Sequence, residues 1–188
     1  MKNQICMTRR KLLKSSVALA VTGFSIPSAL ATVNSYVTKD SARVLNFHNL
    51  HTGEALQAEY WADGHYLTDE LAGINHILRD FRTNQVLPIE PLLLDLLHQL
   101  RTSLNTTQPF QIISGYRSPV TNANLAANSD GVAKHSLHME GKAIDLRIDG
   151  INLSNLRQAA IALQGGGVGY YPGSNFVHMD VGRVRSWG

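Results

Sequence analysis

Two stretches far apart in the sequence alternate between apolar and polar residues, and together they constrain the fold more than any other feature. In the first, Ile144, Leu146 and Ile148 fall on one side, with Ala143, Asp145 and Arg147 on the other. In the second, Val177, Met179 and Val181 alternate with Phe176, His178 and Asp180. A period of two with one apolar side is the pattern of a strand that buries one face. If the two strands are neighbours in one sheet, Asp145, His178 and Asp180 project from the same face. His138, seven residues before Asp145, can reach over that face from the loop feeding the first strand. We expect His138, Asp145 and His178 to hold one zinc ion. Three ligands drawn from His and carboxylate leave the fourth position open for water, whereas structural zinc sites are closed by four ligands.

The N-terminus has to be separated before charge is interpreted. Arg9-Arg10 lie in a basic region, an apolar run covers residues 17–26, and Ala29-Leu30-Ala31 is a small-residue cleavage signal. The run is well short of the ~20 apolar residues that cross a bilayer. Residues 1–31 therefore read as a cleaved twin-arginine signal peptide, and residues 32–188 as one domain without a transmembrane segment. The expected partner on this route is the twin-arginine export machinery, and the expected location is the periplasm.

Five of the 17 Lys and Arg lie in that leader, with no acid, so the remainder carries 12 bases against 14 acids, a net charge near −2. No basic stripe remains, which excludes nucleic acid as a partner class. The single cysteine, Cys6, also falls in the leader. The remaining domain has neither an internal disulfide nor a thiolate metal site.

Taken in order, residues 44–50 and 56–61 around the His51-Thr52-Gly53-Glu54 turn read as a β-hairpin. Thr68 is a candidate N-cap for a helix carrying Leu71, Ile74, Ile77, Leu78 and Phe81 and ending near Thr83. Pro91 opens a second helix whose leucines, 92 to 104, give it the central place in the core. A strand over residues 109–113, a short helix over 121–128 and a helix over 153–163 follow. Residues 165–171 read as a strand; their glycines lack the ending and the following helix of a phosphate loop. The result is an α+β domain, a small, mainly antiparallel sheet carrying the zinc site and packed against helices.

The motif Ser136-x-His138-x-x-Gly141-x-Ala143-x-Asp145, preceded by Ser114-Gly115-Tyr116-Arg117 and followed by His178, resembles the zinc peptidases that include D-alanyl-D-alanine carboxypeptidases and hedgehog signalling domains. The leader, the residue 49–54 turn and the Phe176-Val177-His178-Met179-Asp180 ending make the chain most similar to the YcbK-like, murein endopeptidase K branch. The resemblance spans nearly the whole chain. It implies hydrolysis of peptide cross-links in peptidoglycan, acting on stem peptides with one Zn²⁺ per chain. By position, His138, Asp145 and His178 correspond to the metal ligands, Arg117 to a residue that binds substrate or the developing oxyanion, and Ser136 to a polar residue beside the site.

One departure bears on catalysis. Where carboxypeptidase relatives carry a catalytic glutamate shortly before the last zinc histidine, this chain has Phe176, which cannot move a proton. Asp180 is the first candidate for the general base and His135 the second. Asp180 is equally suited to orienting a ligand imidazole, and a salt bridge with Asp145 or Asp180 is the structural alternative for Arg117. Trp61, Tyr170, Tyr171 and Trp187 read individually as core packing, with a glycan-binding groove as the other role. His48, His51, His65, His76 and His98 have no ligand partners at a recognisable spacing.

The expected chemistry is attack of metal-activated water on an amide, without a covalent intermediate. Two other readings stand beside the endopeptidase: a carboxypeptidase releasing terminal D-alanine, and a zinc-containing module that binds peptidoglycan without cutting it.

Overall fold

The computed structural model describes residues 42–128, 133 and 135–188. The leader read from the sequence, residues 1–31, lies outside the described residues. Eight strands form one sheet: β1 (Arg43–Asn49), β2 (Ala55–Ala62), β3 (His65–Tyr66), β4 (Phe110–Ser114), β5 (Ala143–Ile148), β6 (Gly167–Tyr171), β7 (Phe176–Asp180) and β8 (Arg185–Trp187). Their order across the sheet is β3-β2-β1-β4-β5-β7-β6-β8. The pairings are antiparallel except β1 with β4 and β6 with β8. Among the described residues four α-helices accompany the sheet: α1 (Thr68–Ile77), α2 (Pro91–Ser103), α3 (Pro119–Ala127) and α4 (Leu153–Ala162). The expected α+β class with a mainly antiparallel sheet is what the chain adopts.

The alternation that defined the strands decides which face is covered. Leu45, Phe47, Phe110, Ile112, Ile144, Leu146, Val177 and Met179 are all buried and belong to one core cluster. Leu93, Leu94, Leu97 and Leu100 of α2 join them, each fully buried. Burial of such a side chain contributes ~1.5–3 kcal/mol, so α2 is anchored by its leucine stripe, while Leu92 on the other side stays exposed. The opposite face carries Ala143, Asp145 and Arg147 of β5, Phe176, His178 and Asp180 of β7, and Gly167, Gly169 and Tyr171 of β6.

Three local expectations are corrected. Helix α1 stops at Ile77 rather than near Thr83, and Thr68 is its first helical residue, with Leu67 at the N-cap and no side-chain cap bond. The early stop follows from Asp80, whose Oδ1 accepts the Arg82 N–H and whose Oδ2 accepts the Ser118 N–H. A carboxylate that captures backbone donors offers the chain an alternative to the helix ladder. Helix α3 begins at Pro119, two residues earlier than expected, because the Ser118 side chain accepts the Thr121 N–H and caps it. Strands β3 and β8, of two and three residues, are too short to show a period, and the sequence reading missed both.

Candidate metal centre

One lateral row of the sheet builds the site. Ser114 of β4 pairs with Asp145 of β5, Asp145 with His178 of β7, His178 with Gly169 of β6, and Gly169 with Trp187 of β8. A register shift between Ile112 and Ser114 brings Ser114 opposite Asp145. His138 arrives from outside the sheet, on a 3-10 turn at Leu137–Glu140. Ser136 accepts the His138 N–H, and Gly141 closes the turn at φ 68°, a left-handed conformation that glycine adopts without strain. A side chain at 141 would also meet the Pro88 carbonyl.

The distances around the three side chains are short. His178 Nδ1 lies 2.8 Å from Asp145 Oδ1 and 3.2 Å from His138 Nε2, and His138 Nε2 lies 3.3 Å from Asp145 Oδ1. One ligand atom from each of the three falls within 4.8 Å of the others. The remote nitrogens fix the tautomers: His138 Nδ1 donates to the Gly115 carbonyl at 2.7 Å, and His178 Nε2 donates to Asp180 Oδ2 at 3.0 Å. Those bonds leave Nε2 of His138 and Nδ1 of His178 as lone pairs aimed at each other and at a carboxylate oxygen. Three converging acceptors require a proton or a cation between them, and two nitrogens with one carboxylate oxygen make a donor set that zinc accepts. The residues therefore fit a bound metal.

Burial opposes a charge on His178, but hydrogen bonds and attraction from Asp145 and Asp180 outweigh it and push its pKa up to about 9. Burial likewise works against the Asp145 carboxylate, and the two imidazoles overcome it, holding Asp145 well below the usual carboxylate range.

Asp180 is fully buried and surrounded by donors. Its Oδ1 accepts from Gly167 N, Gly182 N and Arg185 Nη1, and its Oδ2 from His178 Nε2 and Arg185 Nη2. Arg117 touches Asp145 Oδ2, Ser114 Oγ and Asn122 Oδ1 at 3.3–3.5 Å, all long, and its Nε is buried with no partner among the described residues. The Arg117 to Asp145 contact, the structural alternative read from the sequence, is thus present, and two of the five guanidinium donors, one of them Nε–H, have no acceptor among the described residues.

A cavity of about 400 Å³ opens over the row, lined among others by Arg117, His135, His138, Tyr171, Phe176 and Trp187. Arg185, Ser136 and Asp180 also reach it. His135 is exposed on the loop before the 3-10 turn. Tyr171 and Trp187 line the cavity, and the Trp187 indole N–H donates to the Tyr171 hydroxyl at 2.9 Å. Trp61 and Tyr170, by contrast, pack against the core. His48, His51, His65, His76 and His98 join no metal-capable group among the described residues.

The family model described as peptidoglycan L,D-endopeptidase MepK, Peptidase_M15_2, matches residues 37–187. The chain belongs to this MepK family of M15-type peptidases. It is 46% identical over 181 residues to the peptidoglycan L,D-endopeptidase MepK of Escherichia coli strain K12, covering 95% of this chain and 96% of that one. The MepK of Shigella flexneri gives the same identity and coverage. A probable peptidoglycan L,D-endopeptidase MepK of Haemophilus influenzae is 38% identical over 187 residues, 98% of each chain. The resemblance read from the SxHxxGxAxD motif and its surroundings holds at the level of the family.

The sequence reading missed Arg185 and the Gly115 carbonyl as parts of the site. A signal for the first was present: Gly167 and Gly169 lie on the site face of β6, and a Cβ at either would strike Arg185 or Trp187. The glycine run that superficially resembled a phosphate loop is the space those two side chains occupy.

Proposed function

We propose that this protein is a zinc-dependent peptidoglycan endopeptidase that cuts L,D-type peptide cross-links, with His138, Asp145 and His178 holding the metal. The observation that carries this reading is the convergence of two lone-pair nitrogens and one carboxylate oxygen at 2.8–3.3 Å, each imidazole anchored from behind. The names of the MepK relatives support both the substrate and the bond type. The leader with Arg9-Arg10 and Ala29-Leu30-Ala31 supports export by the twin-arginine route and action in the periplasm. No helix among the described residues is long and apolar enough to cross a membrane.

A bound zinc ion supplies Lewis-acid polarisation of the scissile carbonyl and a lowered pKa for water. The chain supplies the rest. Asp180 orients His178 and keeps its tautomer, because every oxygen lone pair it could use on a proton is already engaged. His135 takes the proton from water and delivers it to the leaving amine. Among the described cavity-lining residues it is the one imidazole or carboxylate committed neither to the metal nor to a buried hydrogen-bond network. Arg117 faces the oxygen that becomes negative, with a buried guanidinium whose present contacts are long and exchangeable. Ser136, whose hydroxyl caps the 3-10 turn, fixes the approach of His138 and borders the bound peptide.

The test is digestion of purified cross-linked muropeptides with and without chelator, followed by mass spectrometry of the products. Metal-dependent conversion of dimers to monomers supports the endopeptidase. Release of single D-alanine would make the enzyme a carboxypeptidase, and a complete lack of metal-dependent product would leave a binding module.

A further inference from the structure

Arg185 lies on β8 and reaches the cavity from the side of His178 that carries Asp180. Its guanidinium is fixed in three ways. Nη1 and Nη2 form a fork on Asp180 at 3.1 and 2.7 Å, Nη1 also donates to the Arg183 carbonyl at 2.9 Å, and the group stacks 4.9 Å from the centre of the Trp187 ring. A guanidinium has five N–H donors in a rigid plane. These contacts use three of them. The two that remain, on Nε and on the neighbouring side of Nη2, are parallel and form a second fork. No described residue accepts from that edge, although the side chain is 35% exposed.

A second carboxylate-shaped fork without a described acceptor, on a side chain that lines the cavity, has a chemical meaning. Planar bidentate pairing with a carboxylate is the interaction for which arginine is most specifically suited. Arg185 is also linked to Arg117 through Asp180, His178 and Asp145 in an unbroken series of contacts. The metal-binding group thus has a guanidinium at each end. A neutral peptide would use neither charge fully.

We propose that Arg185 is a carboxylate-binding, specificity-determining residue, whose Nε–Nη2 edge receives a free carboxylate of the peptide beside the scissile amide. This rests on the peptidase reading of the site given above and adds the residue that recognises the substrate's carboxylate.

The experiment is a calorimetric titration of zinc-loaded protein with an uncross-linked peptidoglycan stem peptide and with the same peptide after amidation of its carboxylates. Neither probe carries a cross-link, so binding is read independently of turnover. The wild type binds the carboxylate form at least about tenfold more tightly, the size expected of a charge-assisted hydrogen-bonded pair. In Arg185→Gln that preference falls by about tenfold, and Arg185→Lys, which keeps the charge and loses the fork, restores part of it. Melting curves of both variants show whether each is folded. A residue that merely props Asp180 would weaken both peptides equally when replaced, leaving the preference intact, and that result overturns the proposal. So does a wild type that does not distinguish the two forms. Cleavage of cross-linked dimers, measured separately, reports on the peptidase reading itself: lost cleavage with a retained preference refutes that reading and not the role of Arg185.

Discussion

Asp145 and His178 face each other across β5 and β7, with Oδ1 2.8 Å from Nδ1. The register sets this contact: a slip of one residue in either strand would turn one of the two side chains into the core, because side chains alternate with a period of two. The apolar face fixes the register. Ile144 pairs with Met179 and Leu146 with Val177, all fully buried. Core packing on one side of the sheet thus aligns Asp145 and His178 on the other.

Replacement of Asp180 by Asn separates its two candidate roles. As the orienting partner of His178, Asp180 should lower zinc affinity about 10–100-fold when neutralised, measured by competition with a chromogenic chelator. A general base would instead lose turnover with zinc affinity unchanged, so an unaltered affinity would contradict the assignment made here.

His135→Ala should leave zinc binding unchanged and lower kcat by roughly 10²–10⁴-fold, the range for a well-placed proton acceptor. Steady-state kinetics on muropeptide dimers at saturating zinc checks this. A loss confined to KM would show that His135 only borders the substrate.

Asp80 provides a pH test away from the proposed metal centre. Burial raises its pKa, but hydrogen bonds from Ser118, Thr121 and the Arg82 backbone outweigh this and lower it from 3.8 to about 2. Its contribution is therefore complete above the unfolded value of 3.8 and is lost as the pH falls through about 2. The shift corresponds to about 2 kcal/mol. Asp80→Asn should lose about that much stability at pH 7 in urea titrations and show a flatter acid limb below pH 4. Equal losses at pH 7 and at pH 2 would contradict the electrostatic account.

Gly169→Ala should displace Trp187, because the added Cβ would lie within 3 Å of three indole ring atoms. Overpacking of this kind costs ~1–3 kcal/mol. A red-shifted tryptophan emission and a lower melting temperature are expected. An unchanged spectrum would show that β8 does not hold the indole against β6.

The parts of this arrangement that were legible in the sequence are those with a period or a fixed spacing. The alternation around Ile144 and around Met179 predicted two strands with Asp145, His178 and Asp180 on one face, and the pairing of Asp145 with His178 follows it. The leucines of α2 predicted a core helix. Illegible were features set by single contacts between distant residues. Nothing before Asp80 marks the end of α1; that end depends on the Ser118 N–H, 38 positions away. Strand β8 offers three residues, and its place beside β6 is visible only once Gly167 and Gly169 are seen as room for Arg185 and Trp187. The two roles open to Asp180 could not be separated from the chain alone, because the donors that fill its oxygens come from β6, β8 and the turn between β7 and β8.

The most direct test is the metal content of the purified domain, residues 32–188, reconstituted with zinc and dialysed, beside its His178→Ala and Asp145→Ala variants. We predict one zinc per wild-type chain and far less in either variant, with muropeptide cleavage lost in step. Full zinc occupancy in both variants, or wild-type cleavage that persists after the metal is removed, would contradict the account.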